Sequence, residues 1–139
     1  MTHVDIPFLR YLDEEGRPVA TLPTWLDKAM LHTFYRNMVM VRSYDKKAIA
    51  LQRTGKLGTF PSHLGAEAVG IGVGLAMRPE DVYVPYYRDM PTLYVRGVPM
   101  EQNLQYWGGD ERGSVFYKAD GELSEDLPIC VPIATQITH

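Results

Sequence analysis

The chain has 139 residues, the size of one domain with room for a single modest core. Its 45% hydrophobic and 22% charged residues exclude a chain disordered throughout, and a net charge of −3 with both signs interspersed leaves no basic footprint for nucleic acid or an anionic membrane. Cys130 is the only cysteine, which excludes an internal disulfide and a multi-cysteine metal site and makes the reducing cytoplasm the default compartment.

No basic-then-apolar leader and no apolar run of about 18 residues points to export or to a membrane span. Residues 1–23 mix Pro7, Gly16, Pro18 and Pro23 with Asp13, Glu14 and Glu15 and read as an extended arm with a turn at Glu15-Gly16. Residues 24–139 then read as a second region. Thr24 has the hydroxyl to cap a helix whose first turn holds Asp27. Leu26, Met30, Phe34, Met38, Val41, Tyr44, Ala48 and Leu51 follow at three- and four-residue spacing, with Gly55 as a stop, which predicts one long helix over about 24–54.

Gly55 to Leu64, loosened by Gly58 and Pro61, reads as a loop that delivers Phe60, Ser62 and His63 to the next element. Gly65 to Met77 is rich in Ala and Gly, so it suits close packing. Glu67 in the first turn and the Arg78-Pro79 stop favour a helix there over a strand. Val82, Tyr83 and Val84 form a short strand-like run ended by Pro85. Met90 to Arg96 and Met100 to Trp107 are helical candidates, the second led by Pro99. Gly109 to Asp126, with Asp110, Glu111, Asp120, Glu122, Glu125 and Asp126 among few large apolar residues, is expected to be mobile until a partner orders it. A last apolar run spans Ile129 to Ile137 and reaches His139 with no cap, so the chain is expected to stop inside an element.

Gly70-Ile71-Gly72-Val73-Gly74 matches neither G-x-G-x-x-G nor a phosphate loop with its Lys-Ser/Thr pair, so tight packing is the better reading. Tyr86, Tyr87 and Arg88 follow the strand-like run, where open α/β folds place ligand contacts. An arginine there can grip a phosphate through two parallel N–H···O bonds; on its own, pairing with Asp89 or Glu80 is the plainer reading. His3, His32, His63 and His139 lack any metal-ligand spacing. His63, on its loop, can contact an anionic substrate or move protons, although an exposed or capping histidine is the commoner outcome. Cys130 sits in an apolar run without a basic neighbour, which suits an inert buried thiol.

Taken in order, Arg42 to Asp45, Leu51 to Gly58, Gly65-Ala66-Glu67-Ala68, Asp81 to Pro85, Tyr87-Arg88-Asp89, Arg96-Gly97 and Val131 to Gln136 resemble successive motifs of one family. That family is the α subunits of the thiamine-diphosphate-dependent 2-oxo acid dehydrogenases, and the resemblance runs from about Trp25 to the last residue. It implies a doubly wound α/β parent fold, of which this part is mostly helical. It also implies decarboxylation of a 2-oxo acid substrate on thiamine diphosphate, with the acyl group passed to a lipoyl arm. By the resemblance Tyr87 lies beside the cofactor and Arg88 holds its diphosphate, overriding the plainer reading. The carbonyl of Val131 and the side chain of Ile133 match positions that meet the aminopyrimidine, Ile133 as the wedge beneath the bent cofactor. Phe60 and His63 match the family's substrate-proximal loop, with His63 two positions nearer the Gly65 motif than the substrate histidine of animal pyruvate enzymes. In branched-chain relatives the stretch matching Cys130, Pro132, Thr135 and Gln136 binds a structural potassium ion through oxygens, which Cys130 would supply from its backbone carbonyl.

The family's G-D-G motif and downstream asparagine, which bind the magnesium that bridges the diphosphate, do not occur in this sequence. The acidic residue that activates the aminopyrimidine belongs to the β subunit. The chain as it stands is therefore expected to be inactive, and its implied partners are a β subunit, a second α subunit and the lipoyl-bearing acyltransferase. The context of Tyr87 to Pro91 looks more like bacterial pyruvate enzymes than branched-chain ones, so an α-subunit piece of pyruvate dehydrogenase is the leading expectation and a branched-chain one the alternative. A non-catalytic assembly piece and a truncated product without function are the expectations from outside enzymology.

Overall fold

The computed structural model describes residues 6–114. The chain divides into two compact units, Met1–His32 and Thr33–His139. In the first, an isolated antiparallel bridge between Leu12 and Pro18 closes a tight turn. The Asp13 carboxylate shapes it, accepting the N–H groups of Glu15 (3.0 Å) and Arg17 (2.8 Å) while Gly16 takes a φ of 79°. The Arg17 backbone N–H, and after it the Arg17 guanidinium at 2.8 Å, hold the Asp13 carboxyl below its ordinary value.

Helix α1 runs Lys28–Arg53, α2 Glu67–Ala76, α3 Met90–Val95 and α4 Met100–Trp107, followed by a 3-10 turn at Glu111–Ser114. α1 starts later than the predicted Thr24. The Asp27 carboxylate, not the Thr24 hydroxyl, accepts the Met30 N–H at 2.7 Å, and residues before it form a separate turn closed by Leu26 N–H to the Pro23 carbonyl. Gly55, at φ 70°, ends α1 as predicted: the Lys56 N–H returns to the Leu51 carbonyl and the Gly55 N–H to that of Gln52.

In the second unit Val41, Tyr44 and Ala48 of α1 pack with Leu57, Phe60, Ile71 and Met90 in one cluster, flanked by Phe34, Met38, Leu104 and Trp107. Each of the larger apolar side chains among them, such as Val41, Phe60, Ile71 and Met90, contributes roughly 1.5–3 kcal/mol on removal from water. α2 meets α3 through glycine. A Cβ on Gly70 would stand 2.7 Å from the Pro91 ring, and one on Gly74 would stand 2.3 Å from Val95 Cγ2 and 3.1 Å from the Thr92 carbonyl. The Thr92 hydroxyl crosses this contact to the Gly70 carbonyl at 2.9 Å. Gly72 faces open space, so only two of the three glycines serve the packing.

Two expectations need correcting. Val82 to Val84 forms no strand: among the described residues no strand is present to take its backbone groups, and both valines are exposed. What steadies the approach is Arg96, which donates to the carbonyls of Arg78 (3.2 Å) and Asp81 (2.6 Å). The described part is accordingly helical, and the implied α/β sheet is not displayed by it. Residues 109–114, expected to be mobile, form a turn and the 3-10 segment, with the Arg112 guanidinium clasping Asp110 at 2.6 Å. The remainder of the expected loop lies outside the described residues, as does the run Ile129 to Ile137. Among the described residues no helix is long and apolar enough to cross a membrane.

The two kinds of glycine in α2 should behave oppositely on substitution. Gly74→Ala forces Val95 or the α3 backbone to shift and should cost about 1–3 kcal/mol, whereas Gly72→Ala meets nothing and should stabilise the chain by about 0.5–1 kcal/mol through helix propensity. Urea unfolding of the chain carrying each substitution reads both signs.

Candidate functional site

Two clusters carry groups capable of chemistry. The first lies where α1 holds the loop that leads into α2. The helical spacing that buries Val41, Tyr44 and Ala48 also buries Asp45, which is 2% exposed. Its carboxylate accepts the Ser62 hydroxyl at 2.8 Å and the His63 N–H at 2.9 Å. The His63 ring, 1% exposed, lies against Tyr44 with centroids 6.2 Å apart and planes 21° apart. Its Nε2 is 3.1 Å from the Val41 carbonyl oxygen, which can only accept, so Nε2 carries the hydrogen of that bond. Nδ1 lies 3.3 Å from Asp45 Oδ1 yet makes no well-formed hydrogen bond, the approach being close but out of line. Phe60, 5% exposed, completes the nest edge-on to Tyr44 and to Trp107.

Around this nest the polar groups are paired over long sequence separations. The Tyr44 hydroxyl donates to the Asn103 side-chain oxygen of α4, and burial, reinforced by the charges of Asp45 and Glu101, pushes that phenol up. The Arg42 guanidinium binds the buried Glu67 carboxylate, whose other oxygen accepts the Gly65 N–H at 2.9 Å. The Arg42 bond outweighs burial and brings the Glu67 carboxyl down to about 2.

The second cluster is the turn into α3. The Asp89 carboxylate accepts the Tyr86 N–H at 2.7 Å, and burial first, then the nearby Asp89 carboxylate, pushes the Tyr83 phenol up. Asp89 is thus occupied, and among the described residues Arg88 has no ion pair, which corrects the plain reading of an arginine bound to Asp89 or Glu80. Arg88 is exposed, its guanidinium carbon 5.6 Å from the centre of the Tyr87 ring, and Tyr87 in turn meets Tyr86 at 5.1 Å.

The predicted site residues therefore fall into three groups. Tyr87 and Arg88 stand together at the surface. Phe60 and His63 stand together in the core, their side chains turned away from solvent, so His63 is not the exposed histidine that was one of the commoner outcomes. The reason is that Asp45 and the Val41 carbonyl offer polar partners inside the fold. Val131, Ile133, Cys130, Pro132, Thr135 and Gln136 lie outside the described residues. Asp45 enters the sequence analysis only as the end of the Arg42 to Asp45 motif and Ser62 only as a residue the loop delivers, neither with a role of its own. The available signal was a carboxylate at a position where the 41, 44, 48 spacing calls for an apolar residue.

Comparison with known proteins places this geometry in context. The sequence model of the dehydrogenase E1 component family matches residues 35–129. The pyruvate dehydrogenase E1 component subunit alpha of Mycoplasma genitalium is 37% identical over 116 residues, covering 84% of this chain and 31% of that protein. The subunit of the same name from Acholeplasma laidlawii is 38% identical over 104 residues, 74% of this chain and 30% of that one. That of Bacillus subtilis is 36% identical over 120 residues, 85% and 32% respectively. The chain spans about a third of the length of the curated relatives it matches.

The Arg42–Glu67 pair gives the chain an acid sensitivity with a definite sign. A carboxyl whose folded value is lowered from 4.5 to about 2 stabilises the fold above its unfolded value, and that stabilisation is lost as pH falls through about 2. Arg42 is half-exposed and solvent screens the pair, so the loss should be on the order of 1–2 kcal/mol. Unfolding measured from pH 6 to pH 2 should show the free-energy gap between the unmodified chain and Glu67→Gln closing across that window.

Proposed function

Because the chain belongs to the dehydrogenase E1 component family, we propose that it is the N-terminal portion of a pyruvate dehydrogenase α subunit. The reaction of the whole enzyme is oxidative decarboxylation of pyruvate with transfer of the acetyl group to a lipoyl arm. The observation that carries the assignment to this chain's own residues is Arg88, an exposed cation without an ion pair among the described residues, stacked on Tyr87. A diphosphate needs such a partner. Guanidinium matches it with paired, charge-assisted hydrogen bonds, and the Tyr87 hydroxyl adds a donor beside it.

Those two residues fit thiamine diphosphate and would hold its diphosphate end. When bound, the cofactor supplies the carbanion and the electron sink that decarboxylation requires. The chain's own part is to hold and orient: Arg88 and Tyr87 at the diphosphate, and the Val131 carbonyl and Ile133 side chain at the aminopyrimidine. The magnesium ligands are assigned to the part of the subunit beyond this chain. Cys130, Pro132, Thr135 and Gln136 are assigned to a potassium ion that stiffens the aminopyrimidine segment. The loop carrying Phe60 and His63 is assigned to the 2-oxo acid end as a shaped backbone, its two rings serving inside the fold.

A β subunit, a second α subunit and the lipoyl-bearing acyltransferase are the proposed partners, and the cytoplasm the proposed compartment. Exposed apolar side chains on α2, with Val69 at 69% exposure beside Val73 and Leu75, support a chain made to be covered by more protein. With Arg88 as its one assigned diphosphate cation and no G-D-G and asparagine motif in its sequence to hold magnesium, the chain by itself should be inactive.

The test uses the complete α subunit assembled with its β subunit. Arg88→Ala should weaken thiamine diphosphate binding by about 10- to 100-fold in calorimetric titration, with the unfolding temperature unchanged, and Tyr87→Phe should weaken it less. Unaltered affinity in Arg88→Ala would remove the assignment. Turnover of pyruvate against 3-methyl-2-oxobutanoate by the unmodified assembly separates the pyruvate from the branched-chain reading.

A further inference from the structure

Asp45 occupies a position where packing alone would place an apolar side chain, between Val41 and Ala48 on the inner face of α1. Among the described residues no Lys or Arg forms an ion pair with it, although its charge is felt by Arg42, and the His63 ring lies 3.3 Å away. Burying a carboxylate in this way is rarely the most stabilising choice, since apolar residues of similar volume do as well or better. What the carboxylate supplies is direction. One oxygen takes the Ser62 hydroxyl at 2.8 Å and the other the His63 N–H at 2.9 Å, while the Ser62 oxygen takes the Leu64 N–H at 3.2 Å. One turn earlier on α1, the Val41 carbonyl takes Nε2–H of the same histidine at 3.1 Å. The His63 carbonyl then receives the Ala66 N–H at 2.9 Å and closes the turn that leads into α2. Three consecutive residues of the loop are therefore set by one side chain of α1, with His63 turned in and Leu64 turned out to solvent.

We propose that Asp45 is a positioning residue for the 2-oxo acid end of the site, acting through the backbone of Ser62, His63 and Leu64 and never touching substrate. The inference rests on the reading above that sets this loop beside the 2-oxo acid. It makes His63 part of the anchor, and leaves the outward surface of the loop, with Leu64 on it, to meet the substrate.

The experiment again uses the complete subunit assembled with its β subunit. Asp45→Asn keeps the shape but turns one acceptor into a donor facing either the Ser62 hydroxyl or the His63 N–H. It should raise KM for pyruvate about tenfold while kcat and the thiamine diphosphate dissociation constant stay within about twofold. Ser62→Ala removes one of the two bonds and should raise KM in the same direction by about two- to threefold. Amide exchange at His63 should accelerate in both, with exchange in α4 unchanged. An unchanged KM in Asp45→Asn overturns the proposal, as does a KM that rises in step with the cofactor dissociation constant, since that pattern marks a general loss of structure. If Asp45→Asn does not assemble, Ser62→Ala decides, and an unchanged KM there is equally fatal. If the unmodified assembly turns over no 2-oxo acid, the functional reading fails on its own, and amide exchange still decides the anchor: acceleration at His63 upholds it and unchanged exchange ends it.

Discussion

The loop between α1 and α2 depends on one buried carboxylate. Without Asp45 the Ser62 hydroxyl and the buried His63 N–H would lose their acceptor, and of the polar contacts that seat His63 beside Tyr44 and Phe60 only the ring's bond to the Val41 carbonyl would remain. The same loop is tied at its other end, where the Gly58 N–H bonds the Trp107 carbonyl at the end of α4 and a Cβ on Gly58 would stand 2.9 Å from that oxygen. A thirteen-residue connection, 54–66, with few regular hydrogen bonds of its own is thereby held from two helices, which is how a loop can present a fixed surface.

Beyond the loop, Glu67 couples α2 to α1 through Arg42, and Gly70 and Gly74 let α3 approach α2 until side chain meets backbone. The close approach has a further effect. With α3 fixed, the turn before it is fixed as well, and Asp89 is committed to the Tyr86 N–H. Arg88 is left as a cation with a tyrosine beside it and no acid to neutralise it among the described residues. A guanidinium kept free by its neighbours' other commitments is available for an anion in a way that a surface ion pair is not.

Much of this was legible in the sequence where the signal is local. The Gly55 stop, the helix from Glu67, the short helices begun by Met90 and Met100 and the loop between α1 and α2 follow from proline, glycine and apolar spacing, each of which acts within a few residues. The ordered motifs from Arg42 to Gly97 pointed to the family that the comparisons then matched over residues 35–129. Local signals also misled: Thr24 looks like a cap, but Asp27 is the side chain that reaches an open N–H. Val82 to Val84 has strand composition, yet a strand exists only if a second one takes its hydrogen bonds.

What the sequence determined by itself, then, was the family, the helical segments and the pairing of Tyr87 with Arg88, since adjacent residues need no fold to bring them together. The tertiary structure alone decided that Asp45 and His63 point inward, that Tyr44 meets Asn103 59 positions away, and that Arg42 meets Glu67 25 positions away. Those outcomes turn on which donors and acceptors are left without water once the helices pack, and that depends on distances between segments that no local pattern encodes.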